Sequence, residues 1–155
     1  MGFLAKQKAK KLLEEGIEHH KKGDLRNAEM KYIEALSYDP NSTEAHLNYG
    51  DLLRKTQRPK AAEIEYRKSM IMGPDRGEPH AALGALYHSQ SRYEEAEAEY
   101  NTAIQLTPGD LNVKLNLAQL YMDTVRYTDM KKLYQSILPY VNDPRLKKLI
   151  EDRSR

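Results

Sequence analysis

The chain has 155 residues, of which 39% are hydrophobic and 31% charged, and its formal net charge is +2. That is one domain's length, with too much apolar content for disorder and too little for a thick globular core, so a thin helical array fits best. With no cysteine there is no disulfide framework, thiolate metal site or cysteine nucleophile, and the near-neutral total argues against a polyanion ligand.

The N-terminus lacks the apolar stretch of a secretory signal, and no run approaches the ~18 apolar residues of a membrane span. Together with the missing cysteines, this points to a cytoplasmic setting, with an exported form whose signal has been removed as the alternative. Residues 1–22 carry six lysines against three glutamates, and residues 145–155 are also net +3, leaving the middle acidic. Phe3 and Leu4 are read as helping to close the N-terminal end.

The first predicted pair of helices flanks the turn Lys22-Gly23-Asp24, and its second member stops before Pro40. The next pair carries Gly50, Ala62, Tyr66, Ser69 and Pro74. In the third, Gly84, Ala96, Tyr100, Ala103 and Pro108 follow the same order, and Ser91 with Glu94 reads as a capping box for the second helix. Gly16, Gly50 and Gly84 are 34 residues apart, as are Tyr32, Tyr66 and Tyr100, and Pro40, Pro74 and Pro108. Units therefore fall at 9–42, 43–76, 77–110 and 111–144. The fourth departs most, with Ala118, Met130, Ile137 and Asn142 at the repeat positions, and Pro139 shortens its second helix. A final amphipathic segment at about 145–153, with Leu146, Leu149 and Ile150 on one stripe, reads as a capping helix. Glycine and alanine allow close approach within each pair. No single pair covers its own apolar face, so neighbours must stack.

Catalytic and metal chemistry find no support. His19 and His20 are adjacent and diverge by about 100° on a helix, and His46 and His80 hold equivalent repeat positions where packing explains them. Glu94, Glu95, Glu97 and Glu99 read as a solvated helix face. No Gly-rich phosphate loop follows a strand. The expectation is a chain with no enzyme activity, cofactor or metal.

The order His80, Leu83-Gly84, Tyr87, Ala96, Tyr100, Ala103, Pro108 at a 34-residue interval resembles the tetratricopeptide repeat family. His46 and His80 stand where that family usually has Trp. The resemblance implies an all-α, right-handed α-solenoid of four helix-turn-helix units plus a C-terminal capping helix. It further implies a protein-binding scaffold or adaptor that holds a partner peptide or helix in a groove lined by the first helices. Carried over position by position, that groove includes Leu13, Ile17 and His20; Leu47, Asn48, Asp51 and Arg54; Ala82, Ala85 and His88; and Leu115, Asn116, Gln119 and Met122. Leu13, Ile17, Leu47, Leu115 and Met122 are expected to expose apolar area there, while Asn48 and Asn116 grip a peptide backbone. Charges along this face, from Lys10, Lys21, Arg54 and Lys55 against Glu14, Glu44, Asp51, Glu78 and Asp123, nearly balance.

Relatives that clamp the acidic C-terminal tails of heat-shock chaperones use Lys and Asn, then Asn, then Lys and Arg. The matching residues here are Leu13 and Ile17, Asn48, and Glu78 and Ala82, so those tails are not the expected partner. Two alternatives stand beside the peptide-groove reading. One is a structural assembly protein forming homo-oligomers through its solenoid ends. The other is an RNA-binding helical repeat, which the 34-residue period and apolar groove disfavour.

Overall fold

A computed structural model describes residues 2–154. Among them are nine α-helices and no strand: α1 (Phe3–Lys21), α2 (Leu25–Tyr38), α3 (Thr43–Lys55), α4 (Pro59–Met72), α5 (Gly77–Ser89), α6 (Tyr93–Leu106), α7 (Leu111–Asp123), α8 (Tyr127–Ile137) and α9 (Pro144–Ser154). Consecutive helices form four antiparallel hairpins in a right-handed α-solenoid. Along the stack α1 approaches α3, α3 approaches α5 and α5 approaches α7, whereas no such close backbone approach joins the second helices among the described residues. The first helices therefore lie on the inner, concave side. No described helix is long and apolar enough to cross a membrane.

Within each of the first three hairpins a tyrosine ring lies on a glycine. A Cβ added at Gly16, Gly50 or Gly84 would sit 2.7, 2.6 or 2.8 Å from the ring of Tyr32, Tyr66 or Tyr100, respectively. These rings are completely buried, together with Ala28, Ala62, Ala96 and Ala103. Every second helix except α8 has 14 residues and ends two residues before the repeat proline, Pro40, Pro74 or Pro108, while α8 stops after 11 and passes into a 3-10 turn, Leu138–Tyr140, that contains Pro139.

The turns inside the hairpins repeat as closely as the helices. Gly23, Gln57, Ser91 and Val125 all adopt left-handed backbone, with φ of 78°, 60°, 59° and 60°. In each case the next residue's N–H returns to a carbonyl in the helix just ended, as from Arg92 to Tyr87 and Arg126 to Tyr121. This is a Schellman closure of the first helix. Ser91 thus ends α5 and does not cap α6, whose N-cap is Arg92 with no side-chain bond. The capping-box reading fails because a left-handed residue cannot also take the extended N-cap conformation.

Two further ladders join the units. Arg58, Arg92 and Arg126, each at the N-cap of a second helix, donate to Glu29, Glu63 and Glu97 of the preceding hairpin at 2.8, 3.4 and 2.5 Å. Tyr49, Tyr87 and Tyr121 donate to the same three carboxylates. The Arg92 and Arg126 guanidinium groups also stack over the Tyr87 and Tyr121 rings, 3.9 and 4.5 Å from their centroids. Inside the second and third hairpins His46 Nδ1 lies 2.6 Å from Glu65 and His80 Nδ1 2.7 Å from Glu99. The supposedly solvated acidic run of α6 is therefore mostly engaged: Glu95 pairs with Arg92, Glu97 with Tyr121 and Arg126, and Glu99 with His80.

The ends differ from expectation in two respects. Phe3 and Leu4 are 75% and 77% exposed, because the first turn of α1 runs past the hairpin and has nothing to cover. In α9, Ile150 is buried and Leu146 half-buried against Met130, Tyr134 and Ile137, but Leu149 is exposed. Only the 146/150 ridge, spaced i and i+4, faces α8.

Val125 is a β-branched residue in left-handed backbone, a strain of ~1–2 kcal/mol that glycine escapes. After the entropic cost of glycine, Val125→Gly should stabilise the chain by up to ~1 kcal/mol and raise Tm by about 2–4 °C. An unchanged or lower Tm in a thermal melt contradicts a strained turn. A second expectation concerns acid. Burial pushes Glu63 up, but hydrogen bonds from Tyr87 and Arg67 and the Arg92 charge hold its carboxyl below the ordinary 4.5. Its contribution is complete above that value and is lost as pH falls through the depressed native pKa. Glu63→Gln should cost about 1 kcal/mol at neutral pH and flatten the fall in Tm below pH 5. A parallel acid profile in wild type and variant would show that the ladder carries no weight.

Candidate functional site

The concave face is built from the first helices, but its floor comes from the second. Because each tyrosine ring crosses under its glycine, the hydroxyl reaches toward the gap between neighbouring first helices while staying buried. The Tyr32 hydroxyl lies 3.3 Å from His20 Nδ1, and the Tyr66 hydroxyl donates to Asp51 Oδ1 at 2.7 Å. Burial, aided by the charge of Asp51, pushes Tyr32 up to about 12, and burial does the same to Tyr100. Both remain neutral hydroxyls at any physiological pH.

Two hollows open on this face at corresponding places. The first, of about 310 Å³ between α1 and α3, is lined by Ile17, His20, Lys21, Tyr32, Asn48 and Lys55. The second, of about 400 Å³ between α5 and α7, is lined by Ala85, His88, Ser89, Tyr93, Tyr100, Asn116 and Asp123. Burial and the nearby Lys55 charge lower the pKa of His20, which keeps the imidazole neutral at neutral pH. His88 Nε2 lies 2.8 Å from Asp123, whose other oxygen accepts from Gln119 at 2.7 Å, and these bonds hold the Asp123 carboxyl low. Between the hollows Asp51 and Arg54 both engage Tyr66.

Of the residues assigned to the groove from sequence, Ile17, His20 and Asn48 share the first hollow and Ala85, His88 and Asn116 the second. Asp51 and Arg54 stand between them, with Leu47 and Ala82 half-buried on the central cluster. The apolar area expected of Leu13 is a correction: it is only 6% exposed, packed with Leu12, Ala28 and Tyr32, and touches the face only beside Lys10 and Glu44. Leu115 and Met122 are half-buried against the C-terminal cluster, where Arg153 of α9 approaches the Met122 sulfur at 3.5 Å. Asn48 already donates one amide hydrogen to the Glu44 carbonyl, at 2.8 Å. The tyrosines Tyr32, Tyr93 and Tyr100 were missed as groove residues; for Tyr32 and Tyr100, two 34-residue intervals apart, the spacing was the available signal. Among the described residues no three His, Asp or Glu side chains are gathered as a metal would require.

Two tetratricopeptide-repeat family models match the sequence, one over residues 13–79 and the other over 87–152, and together they span most of the chain. The chain belongs to the tetratricopeptide repeat family. Such arrays are protein–protein interaction scaffolds and not a class of enzyme. No curated protein matches the sequence. Among solved structures, PilF of Pseudomonas aeruginosa superposes with a TM-score of 0.84 at 22% identity, over 97% of this chain and 67% of that one. The Arabidopsis OM64 tetratricopeptide domain gives 0.73 at 20% identity, over 77% and 98%. The first tetratricopeptide domain of Spaghetti (RPAP3), bound to the HSP90 peptide SRMEEVD, gives 0.72 at 20% identity, over 77% and 94%. At these identities the likeness is one of fold.

Proposed function

We propose that the tetratricopeptide array holds an extended or helical segment of another protein along its concave face. The observation that supports this most is the pair of corresponding hollows, each combining small or apolar side chains, a tyrosine floor and an asparagine amide. Apolar surface of this kind gives affinity, while Asn48 and Asn116 can satisfy backbone amides that lose water on docking.

A chaperone tail such as the one held by the Spaghetti domain is not the segment proposed. Of the residues at the corresponding clamp positions, Leu13 is buried, Ile17 and Ala82 are apolar and Glu78 is anionic, which leaves Asn48 alone to meet a terminal carboxylate.

Selection of a random 12-residue peptide library on the full chain tests the reading. Recovered peptides should bind the parent and weaken by about 1–3 kcal/mol when Asn48 and Asn116 are both changed to Ala, with Tm unchanged. Recovery of no peptide, or of peptides indifferent to that double substitution, contradicts the groove assignment.

A further inference from the structure

The two hollows occupy corresponding places but differ in chemistry. The first carries Lys21 and Lys55 on its rim, with His20 and the Asn48 amide below, over the buried Tyr32, and no carboxylate in its lining. The nearest acid, Asp51, whose charge reaches Tyr32 and His20, accepts from Tyr66 and neighbours Arg54. The second hollow holds no Lys or Arg. Its walls are aromatic: His88 meets Tyr93 edge-on at 5.9 Å and Tyr100 at 6.4 Å, above the small Ala85. Its one carboxylate, Asp123, is occupied by His88 and Gln119. Along the face the chemistry therefore runs from cationic, through the neutral Asp51 and Arg54 pair, to aromatic.

On the peptide-docking reading above, we infer that the partner segment places a carboxylate side chain, Asp or Glu, in the hollow between α1 and α3 and a bulky aromatic side chain in the hollow between α5 and α7. Charge complementarity selects the first residue: two ammonium groups and an amide are donors, and a carboxylate accepts from each. Ring geometry selects the second, because the part-exposed Tyr93 and His88 rings offer edge-to-face partners and Ala85 leaves the room. Packed helices lie about 8–10 Å apart, so the hollows, two first helices apart, are roughly 20 Å from each other. An extended chain spans that in about six residues at ~3.3 Å each. The cations are side-chain partners within the groove and require no chain terminus, so an internal acid serves and blocking the peptide's C-terminus changes nothing.

The same 12-residue library separates this inference from the reading it rests on. Recovered peptides should carry Asp or Glu five to seven residues from Trp, Phe or Tyr, and fluorescein-labelled copies should lose at least tenfold in affinity when the acid becomes Gln or the aromatic becomes Ala. C-terminal amidation should leave affinity unchanged. The variant Lys21→Glu/Lys55→Glu, with both positions exposed, should keep the parent Tm, lose the acidic peptides at least tenfold and gain their Lys counterparts. By NMR, the His20 imidazole should titrate at higher pH with the acidic peptide bound. Peptides that bind in the groove without acid enrichment, or that ignore the charge reversal, overturn the inference and leave the docking reading standing. Recovery of no peptide overturns both, and equal binding of an oligonucleotide would show a generic polyanion site and overturn the inference.

Discussion

The contact between a glycine on the first helix and a tyrosine on the second controls the rest of this molecule. At Gly16, Gly50 and Gly84 the ring lies so close that a Cβ would have to displace it. That closeness brings the two helices of a hairpin together over a flat aromatic surface and buries Ala28, Ala62 and Ala96 beside it. It also carries the phenol through to the concave side, where the Tyr32 and Tyr66 hydroxyls meet His20 and Asp51. One packing solution thus closes the hairpin and supplies the groove floor. In the fourth hairpin Ala118 replaces the glycine, and the Tyr134 hydroxyl faces Met122 and Arg153, so the groove ends against α9.

Stacking needs a second set of contacts, and these lie on the outer side. Each Glu–Arg–Tyr ladder ties the second helix of one hairpin to the turn of the next. The acceptors are part-buried and multiply bonded, a better case for net stabilisation than isolated surface pairs. With the outer turns held, the first helices keep a defined spacing, which sets the two hollows on the inner face at a fixed separation. The exposed apolar side chains of α2 and α4, among them Met30, Ile33 and Ile64, lie away from those hollows.

The 34-residue interval was legible because each residue that marks it does a backbone or packing task few others can do: glycine permits contact, alanine close approach, and proline a helix stop. Side-chain pairings were not legible. Glu97 and Arg126 are 29 residues apart and Glu99 and His80 are 19 apart, and a glutamate with a distant partner reads like any solvated one. Ser91 misled for a related reason: its type suits an N-cap, while its place in the repeat, equivalent to Gly23, demands left-handed backbone. In the groove, the resemblance placed first-helix residues but could not show that Leu13 turns into the core or that second-helix tyrosines form the floor.

The stability of Gly84→Ala tests the controlling contact by its sign. Alanine is the better helix former by about 1 kcal/mol, so at an open site the substitution stabilises. Against the Tyr100 ring, 2.8 Å from the added carbon, overpacking costs about 1–3 kcal/mol and outweighs that gain. Chemical denaturation should give a net loss of stability, together with a shift in the resonances of the second hollow as the ring is displaced. A variant more stable than the parent would contradict the view that glycine–tyrosine contact organises this array.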